Sequence, residues 1–391
     1  MNTNVVIIGG GVIGSSVAYF LRQSGRSIDV TVVERDPSYT YASSTRSIAS
    51  IRQHFSTPLS IQMSQYGVEF LRQAGDLLGL DGLASGIELV ENGYLFLATD
   101  AEKEAILRQN HAVQIAYGAP IEWLDRSALR SRFPWLNTQD LVAGTCGLRG
   151  EGWFDGHLLL HALRKKAIAL GARYVRDSVC AVRMDGRRVA VICTEEGANL
   201  AADLVINAAG AWARPIAQMM GVELPVHARR RSVFFVTTPT PMGRAPLVVD
   251  PSGAYVRPEG AGYVCGAGPN VDDDRDDLPL DEVDYSLFDE VVWPALAHRI
   301  PQFESLRVRS AWSGYYEFNP FDQNAWIGFH PEVDNCIFAN GFSGHGMQQA
   351  AAAGRGISEL VLYERFTTLD LSPLGFRRLL EGRPLLERNV I

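Results

Sequence analysis

The chain has 391 residues, of which 47% are hydrophobic and 20% are charged, and its formal net charge is −8 at pH 7. These values are ordinary for a globular protein with a sizeable core, and the length predicts two or three domains, or one discontinuous pair. The net charge is negative and no basic stripe appears, which argues against nucleic-acid binding. No apolar run approaches the 18 residues typical of a transmembrane helix, so no integral membrane segment is expected.

The five cysteines are scattered along the chain, and no two of them form a CxxC pair. An odd, dispersed set predicts neither a disulfide framework nor a zinc site, so we expect reduced cysteines and no metal. The N-terminus lacks the basic segment of a signal peptide and enters an apolar run almost at once. A cytoplasmic enzyme is therefore the expectation.

The first thirty residues have the pattern of a dinucleotide-binding βαβ unit. An apolar run at 5–8 predicts a buried strand, and the sequence G-x-G-x-x-G follows it at 9–14. Apolar residues then recur at every fourth position, as on one face of a helix. A second apolar run at 28–33 predicts the next strand.

Each glycine of this motif has a physical role in such a site. Gly9 allows the tight turn from strand to helix, Gly11 lets the backbone approach a pyrophosphate, and Gly14 lets the helix pack closely on the sheet. The helix N-terminus, at Val12 and Ile13, offers unpaired N–H groups and a partial positive charge to the phosphates.

Glu34 ends the second strand, 20 residues after Gly14, where an acid can accept hydrogen bonds from both ribose hydroxyls. An acid at this position disfavours NADP but leaves NAD and FAD open. We predict an adenine dinucleotide here; the alternative is a βαβ unit without a ligand.

Two later segments extend this pattern. The hydroxylic run at 42–47 suits a segment beside the phosphates, although a surface loop with helix caps explains it equally well. A strand at 337–340 opens into GFSGHG at 341–346, and a helix is predicted from 347 to about 363. A second helix N-terminus suits flavin chemistry, because its N–H groups can stabilise the negative charge that reduction leaves near N1 and C2=O.

The rest of the chain alternates helical and β-like segments. Helices are predicted over 58–78, 101–117 and 158–170, and hairpins over 86–99 and 179–194. Short β-like runs between 231 and 268 predict a second sheet, and the acidic run at 272–277 is expected to be a solvated loop.

Taken together, these features resemble the D-amino acid oxidase superfamily of FAD-dependent amine and amino-acid oxidoreductases, in particular its sarcosine oxidase and glycine oxidase branch. The resemblance is carried by the N-terminal motif, EGWFDGHLLLHAL at 151–163, LVINAAGAWA at 204–213 and GFSGHGMQQA at 341–350. The stretch YYEFNPFDQNAWIG at 315–328 also resembles a mitochondrial FAD-dependent oxidoreductase group, which includes a member that acts in the assembly of respiratory complex I.

The resemblance implies an α/β fold in which a Rossmann-type FAD-binding domain is interleaved with an α+β substrate domain built on a mixed β-sheet. The FAD-binding domain would comprise 1–85, 145–220 and 320–391, and the substrate domain 86–144 and 221–319. The implied FAD contacts are Gly9, Gly11, Val12, Ile13, Gly14, Glu34, Arg35, Ser43, Ser44, Val179, Gly210, Trp212, Gly341, Ser343, Gly344, His345, Gly346, Met347 and Gln348.

The resemblance also implies a substrate site. Arg52 corresponds to the arginine that holds the substrate carboxylate in sarcosine oxidases, and a guanidinium can do so with two parallel bonds. A surface salt bridge is the alternative for Arg52. Tyr255 resembles an active-site tyrosine, and His345 either tunes the flavin or is a satisfied loop histidine. The segment 315–317, Tyr-Tyr-Glu, lines the pocket or is ordinary packing.

Two departures from the branch carry information. Its members with covalent flavin have a cysteine near position 315, and this chain has none between Cys265 and Cys336, so FAD is expected to be non-covalent. A lysine of the branch is replaced by Gln348, which is neutral and cannot stabilise a superoxide-like species. We therefore expect a dehydrogenase that passes electrons to a protein or a quinone rather than an efficient oxidase.

The resulting prediction is an FAD-dependent oxidoreductase, with catalytic candidates Arg52, Tyr255, His345 and Gln348. It would oxidise the C–N bond of a small carboxylate-bearing amine by hydride transfer to flavin N5, followed by hydrolysis of the imine. Four alternatives stay open: an FAD-containing assembly or scaffold protein, a subunit of a multi-component dehydrogenase, an NAD-dependent dehydrogenase, and oxidation of a 2-hydroxy acid. An electron-acceptor protein or a partner subunit also stays open.

Overall fold

The computed structural model describes residues 3–389. Strands and helices alternate along much of the chain. The strands are β1 (Thr3–Ile8), β2 (Ile28–Glu34), β3 (Ser50–Ile51), β4 (Tyr94–Ala98), β5 (Ile121–Asp125), β6 (Ala143–Gly147), β7 (Gly152–Trp153), β8 (Arg173–Arg176), β9 (Val179–Asp185), β10 (Arg188–Thr194), β11 (Asn199–Ala201), β12 (Leu204–Asn207), β13 (His227–Thr237), β14 (Leu247–Val249), β15 (Tyr255–Glu259), β16 (Gly262–Gly266), β17 (Arg307–Phe318), β18 (Trp326–His330) and β19 (Val333–Asn340).

The helices predicted over 58–78, 101–117, 158–170 and 347–363 are confirmed with small shifts at their ends. The α-helices are α1 (Val12–Gln23), α2 (Ser43–Arg46), α3 (Pro58–Leu77), α4 (Ala101–Ala116), α5 (Arg126–Arg132), α6 (Gly156–Ala169), α7 (Ala213–Gln218), α8 (Tyr285–Leu287), α9 (Trp293–Arg299), α10 (Gly346–Tyr363) and α11 (Arg377–Leu380). Within residues 3–389, no helix has the length and apolar character needed to cross a membrane.

A six-stranded sheet has the order β8–β2–β1–β12–β19–β18, and all its pairs are parallel except β19–β18. The side chains of β1 alternate between its two faces: Val5 and Ile7 pack into the core with α1, α3, α6 and α10, whereas Val6 and Ile8 pack on the opposite side with α7. Because both faces are covered, β1 reads as a continuous apolar run.

An eight-stranded sheet has the order β17–β13–β16–β15–β14–β4–β6–β5 and is antiparallel except at β14–β4. One side of it packs against the helical segment 285–299. Its strands come from 94–147 and 227–318, and those of the six-stranded sheet from the remaining segments. The predicted domain boundary at 145 falls inside β6, and the division into two domains stays a proposal.

The hairpin predicted over 86–99 is wrong. Val90 pairs with Trp153, and β4 pairs with β6 and β14 instead of folding back on its own flank. The carboxylate of Glu91 accepts two hydrogen bonds from the Arg72 guanidinium, at 3.0 and 2.9 Å. These contacts with distant parts of the chain replace the local turn that the sequence Glu-Asn-Gly predicted.

Candidate functional site

A cavity of about 520 Å³ opens at the carboxyl ends of β1, β2 and β12, and the eight-stranded sheet supplies part of its wall. Ile8, Glu34 and Ala208 line it from the first sheet, and Tyr94 and Tyr255 line it from the second. Its volume lies within the range of about 300–1,000 Å³ that is typical of ligand pockets. The carboxyl ends of parallel strands are also where open α/β sheets bind their ligands.

Most of the residues predicted to form the site line this one cavity. They are Gly9, Gly11, Val12, Ile13, Glu34, Arg35, Ser43, Ser44, Arg52, Val179, Gly210, Trp212, Tyr255, Ser343, Gly344, His345, Gly346, Met347 and Gln348. Gly14 and Gly341 are not on its wall. A Cβ at Gly14 would lie 1.9 Å from the carbonyl oxygen of Gly9, so Gly14 acts in packing the helix on the turn.

The turn between β1 and α1 requires its glycine. Gly9 has φ +97°, and a Cβ there would lie 2.4 Å from the carbonyl oxygen of Ala208. The carboxylate of Glu34 holds this turn from the next strand, because its two oxygens accept the N–H groups of Gly10 and Asp36, both at 2.8 Å. Burial raises the pKa of Glu34 above its usual value, although these two hydrogen bonds favour the ionised form.

Two helix N-termini face the cavity. At the start of α1, the N–H of Val12 donates to Ser44 Oγ at 3.1 Å, whereas the N–H groups of Ile13 and Gly14 have no hydrogen-bond partner among residues 3–389. The hydroxyl of Ser43, beside them, is buried and also has no partner there. These unpaired donors suit the phosphates of a dinucleotide.

The first residues of α10 present a second set of free donors. Gly346, Met347 and Gln348 line the cavity, and none of their N–H groups has a hydrogen-bond partner in the described part of the chain. A Cβ at Gly354 would lie 2.2 Å from Ser16 Oγ, so this glycine lets α10 approach α1 closely. Two partial positive charges therefore face one cavity.

Arg52 lies deep in the wall and is only 4% exposed. One of its Nη atoms donates to the carbonyl oxygen of Asn389 and lies 3.3 Å from His345 Nε2. Its Nε is buried and has no partner among residues 3–389, and the guanidinium lies over the Phe55 ring at 4.8 Å. The surface salt bridge offered as the alternative is therefore wrong, because Arg52 is buried and pairs with no carboxylate of the described chain.

The contact with Arg52 determines the state of His345. A guanidinium can only donate, so Nε2 of His345 accepts and the neutral ring carries its proton on Nδ1. Burial and the nearby Arg52 charge hold the pKa of His345 well below its usual value. Arg52 is therefore a cation beside a neutral imidazole.

The segment that carries Arg52 is held from two sides. Glu151, which is fully buried, accepts the main-chain N–H of His54 at 3.0 Å and its Nδ1 at 2.8 Å. Glu387 accepts the N–H and hydroxyl groups of Ser56, at 2.8 and 2.7 Å. Glu151 begins the motif at 151–163, but nothing in the sequence indicates that the segment around Glu387 reaches this site.

Three tyrosines complete the cavity wall, of which Tyr94 and Tyr255 are buried and Tyr316 is half-buried. Burial raises the pKa of Tyr94, Tyr255 and Tyr316, so all three are neutral phenols at ordinary pH. The sequence does not indicate Tyr94 as a site residue, because its pattern predicts a local hairpin at 86–99. Arg231 also lines the cavity, but Asp274 pairs with its guanidinium through two bonds of 2.7 and 3.0 Å.

Gln348 and Trp212 occupy defined positions on the same wall. Oε1 of Gln348 accepts the main-chain N–H of Arg52 at 3.0 Å. The guanidinium of Arg35 lies 3.9 Å from the centre of the Trp212 ring, which meets Tyr315 edge to face at 5.7 Å.

Within residues 3–389, no cluster of three or more His, Cys, Asp or Glu side chains is placed to hold a metal ion.

Comparisons with known proteins agree with this arrangement. The family model described as FAD dependent oxidoreductase matches residues 4–360. FAD-dependent oxidoreductase domain-containing protein 1 of Xenopus laevis is 40% identical over an alignment of 424 residues, which covers 99% of this chain and 85% of that protein. Glycine oxidase of Geobacillus kaustophilus is 27% identical, and the alignment covers 96% of this chain and 97% of that protein.

A solved structure shows the same architecture. The crystal structure of L-proline dehydrogenase from P. horikoshii matches with a TM-score of 0.86 at 25% identity, over 98% of this chain and 99% of that one. The predicted α/β fold class and the predicted resemblance are therefore confirmed. With its glycine turn, its two helix N-termini and a family match over most of its length, this chain belongs to the FAD-dependent oxidoreductase family.

Proposed function

We propose that this protein binds FAD non-covalently and uses it to oxidise the C–N bond of an amino acid or an N-substituted amino acid. The observation that carries the proposal is the buried Arg52 guanidinium, which shares one cavity with the glycine turn and the N-terminus of α10. The names of two similar proteins, a glycine oxidase and an L-proline dehydrogenase, support this class of substrate.

The residues present fit FAD. The free N–H groups at the start of α1 and the turn at Gly9 and Gly11 would hold the diphosphate, and Glu34 would accept the ribose hydroxyls. The N-terminus of α10 and the loop 341–346 would hold the isoalloxazine. When bound, FAD supplies the two-electron acceptor that the reaction needs.

Arg52 would bind the substrate carboxylate. A buried cation needs a counter-charge, and no carboxylate of the described chain forms an ion pair with Arg52. His345 and the phenols of Tyr94 and Tyr316, on the same cavity wall, are neutral. The Nε donor of Arg52 makes no hydrogen bond in the described chain and remains available. A carboxylate held there would place the substrate amine within the same cavity, and the imine produced would hydrolyse in water.

The cavity wall also bears on the electron acceptor and the mode of FAD binding. No lysine and no cysteine is among the residues that line the cavity in the described chain. Gln348, whose Oε1 is engaged by Arg52, offers no positive charge to a superoxide-like species. We infer a dehydrogenase with non-covalent FAD.

The test compares an N-methyl amino acid with its carboxamide as anaerobic reductants of the FAD-loaded protein. The N-methyl amino acid should bleach the flavin band of the wild type. The carboxamide should bind at least about tenfold more weakly, as expected for loss of one charge-assisted hydrogen bond. Arg52→Met should lose this preference but keep its FAD. Arg231→Met is the matched control, because Asp274 already neutralises that arginine on the same wall.

Two results would contradict the proposal. A preference for the carboxylate that survives in Arg52→Met would remove Arg52 from the substrate site. A flavin band that no amine, amino acid or 2-hydroxy acid bleaches, in folded protein, would favour an FAD-containing scaffold or a missing partner subunit.

A further inference from the structure

Glu317, in β17, lines the cavity but has no part in the reaction described above. Its Oε2 accepts the N–H of Gly341 at 2.9 Å, and within residues 3–389 its carboxylate makes no other hydrogen bond and no ion pair. A Cβ at Gly346 would lie 3.5 Å from its Oε1. The carboxyl group therefore sits between the first residue of the loop 341–346 and the first residue of α10.

The main chain fixes Glu317 in this position. Its carbonyl oxygen accepts the N–H of Ser343 at 3.1 Å, and the N–H of Asn319 donates to Ser343 Oγ at 2.9 Å. On the other side, Glu317 pairs with Ala228 of β13. These bonds fix the backbone of Glu317 beside the loop, and its carboxyl group is held there by the N–H of Gly341.

The charged groups on the surrounding elements are engaged elsewhere. On β13, His227 and Arg229 flank Ala228 and both pair with Asp276. Arg46 of α2 donates to the carbonyl oxygen of Ser313, at 2.8 Å. Other charged or titratable groups on the cavity wall include His345, which is neutral, and the phenol of Tyr316, whose pKa is raised by burial. Arg52 on the same wall donates to Asn389, and Arg231 pairs with Asp274.

Without a paired cation, burial dominates the ionisation of this carboxyl group. Burial raises the pKa of Glu317 to about 8, and the N–H of Gly341 offsets only part of that increase. The side chain therefore holds a proton at neutral pH and can lose it in mildly alkaline solution.

We propose that Glu317, whenever it is ionised, is the proton-binding group that keeps the charge of the flavin site constant during reduction. The inference rests on the proposed function, in which the loop 341–346 and the start of α10 hold the isoalloxazine. A hydride brings two electrons and one proton from the substrate, and it adds one negative charge to the flavin. An ionised Glu317 would then take one proton from solvent, so that two negative charges do not face each other.

A carboxylate in this place would otherwise act against the helix. The N-terminus of α10 contributes only about half a positive charge, which is too little to balance a carboxylate and a reduced flavin together. Repulsion between two buried like charges is relieved by protonating one of them. Glu317 thus binds a proton beside the flavin site and does not need to contact the substrate.

The test is the midpoint potential of the bound FAD, measured by spectroelectrochemical titration from about pH 6 to about pH 10, a window that brackets the Glu317 titration. The wild type and Glu317→Gln should agree at the acid end, where both side chains are neutral. Above about pH 8 the wild-type potential should fall more steeply with pH, with the slope expected when one additional proton is taken up per two electrons. Glu317→Gln should not show this step, and Glu282→Gln, on an exposed side chain, should behave as the wild type does.

Either of two results would overturn the inference. One is a wild-type curve without the additional proton, which is decisive even if the variant fails to fold. The other is a Glu317→Gln curve that keeps the step. Failure of the proposed function gives a different result. If the bound FAD can be titrated electrochemically but no amine bleaches it, the proposed substrate class is refuted and the Glu317 step can still be measured. If the protein binds no FAD, both the proposed function and this inference are refuted.

Discussion

Gly344→Ala should destabilise the protein and lower its affinity for FAD. Gly344 has φ +86°, and a Cβ there would lie 2.5 Å from Cε2 of the Tyr316 ring. The left-handed backbone costs a non-glycine residue about 1–2 kcal/mol, and overpacking adds about 1–3 kcal/mol. The free energy of unfolding should therefore fall by about 2–5 kcal/mol.

A second glycine separates these two contributions. Gly253 has nearly the same φ, +89°, but a Cβ there would meet no atom within 4 Å. Gly253→Ala should consequently cost only the backbone part, about 1–2 kcal/mol. Urea unfolding of both variants, with and without added FAD, measures the difference, and only Gly344→Ala should release FAD more readily than the wild type.

The Tyr316 ring can be removed to test the steric part directly. In a Tyr316→Ala background, Gly344→Ala should cost about 1–2 kcal/mol, and the double-mutant cycle should show a coupling of about 1–3 kcal/mol. Equal losses for Gly344→Ala and Gly253→Ala, or a cycle without coupling, would refute the argument that the loop is packed against this ring.

Three further predictions concern other parts of the site and the fold. Glu387→Gln should lower the free energy of unfolding by about 1.5–3 kcal/mol, because its buried carboxylate accepts hydrogen bonds from Ser56, and urea unfolding measures this. Burial opposes ionisation of Glu359, but hydrogen bonds from Thr368 and its neighbours lower the pKa of this carboxyl group to about 2. The ionised group therefore stabilises the folded state above about pH 4.5, and this stabilisation is lost as the pH falls towards 2. Acid unfolding of Glu359→Gln should lack that step. Gln348→Lys should speed the reoxidation of reduced protein in air at least about tenfold, as followed by stopped-flow absorbance.

Each of these predictions has a control and a contradicting result. Glu381→Gln, on an exposed carboxylate, should leave stability nearly unchanged, and an equal loss in both glutamate variants would exclude a specific role for Glu387. Identical acid-unfolding curves for the wild type and Glu359→Gln would show that Glu359 is not the group that titrates. Gln348→Met should not speed reoxidation, and an equal gain in Met and Lys variants would point to access rather than charge.

The N-terminal half of the cofactor site could be predicted because its contacts are local. Gly9 and Glu34 belong to a single βαβ unit, in which strand, turn and helix lengths fix where each residue lies. The same holds for α10, since a strand, a glycine turn and a helix follow one another at 333–363. These elements can be predicted from their own sequences because they depend little on distant parts of the chain.

The substrate side could not be predicted in the same way, because its contacts join distant parts of the chain. Asn389 reaches Arg52, and Glu387 reaches Ser56, across more than 300 residues of sequence. Tyr94 enters the cavity only because β4 pairs with β6 and β14, whereas the local turn signal had favoured a hairpin. No periodicity or spacing within one segment reports such pairings.

The visible spectrum of the purified protein, recorded during anaerobic addition of matched compounds, is the direct test of FAD-dependent C–N oxidation. We expect an oxidised-flavin band, and we expect acid denaturation to release the flavin as free FAD. An N-alkyl amino acid should bleach that band, and the 2-hydroxy acid of the same carbon skeleton should not. Bleaching by the hydroxy acid alone would contradict the proposed C–N oxidation, and flavin that stays attached to denatured protein would contradict non-covalent binding.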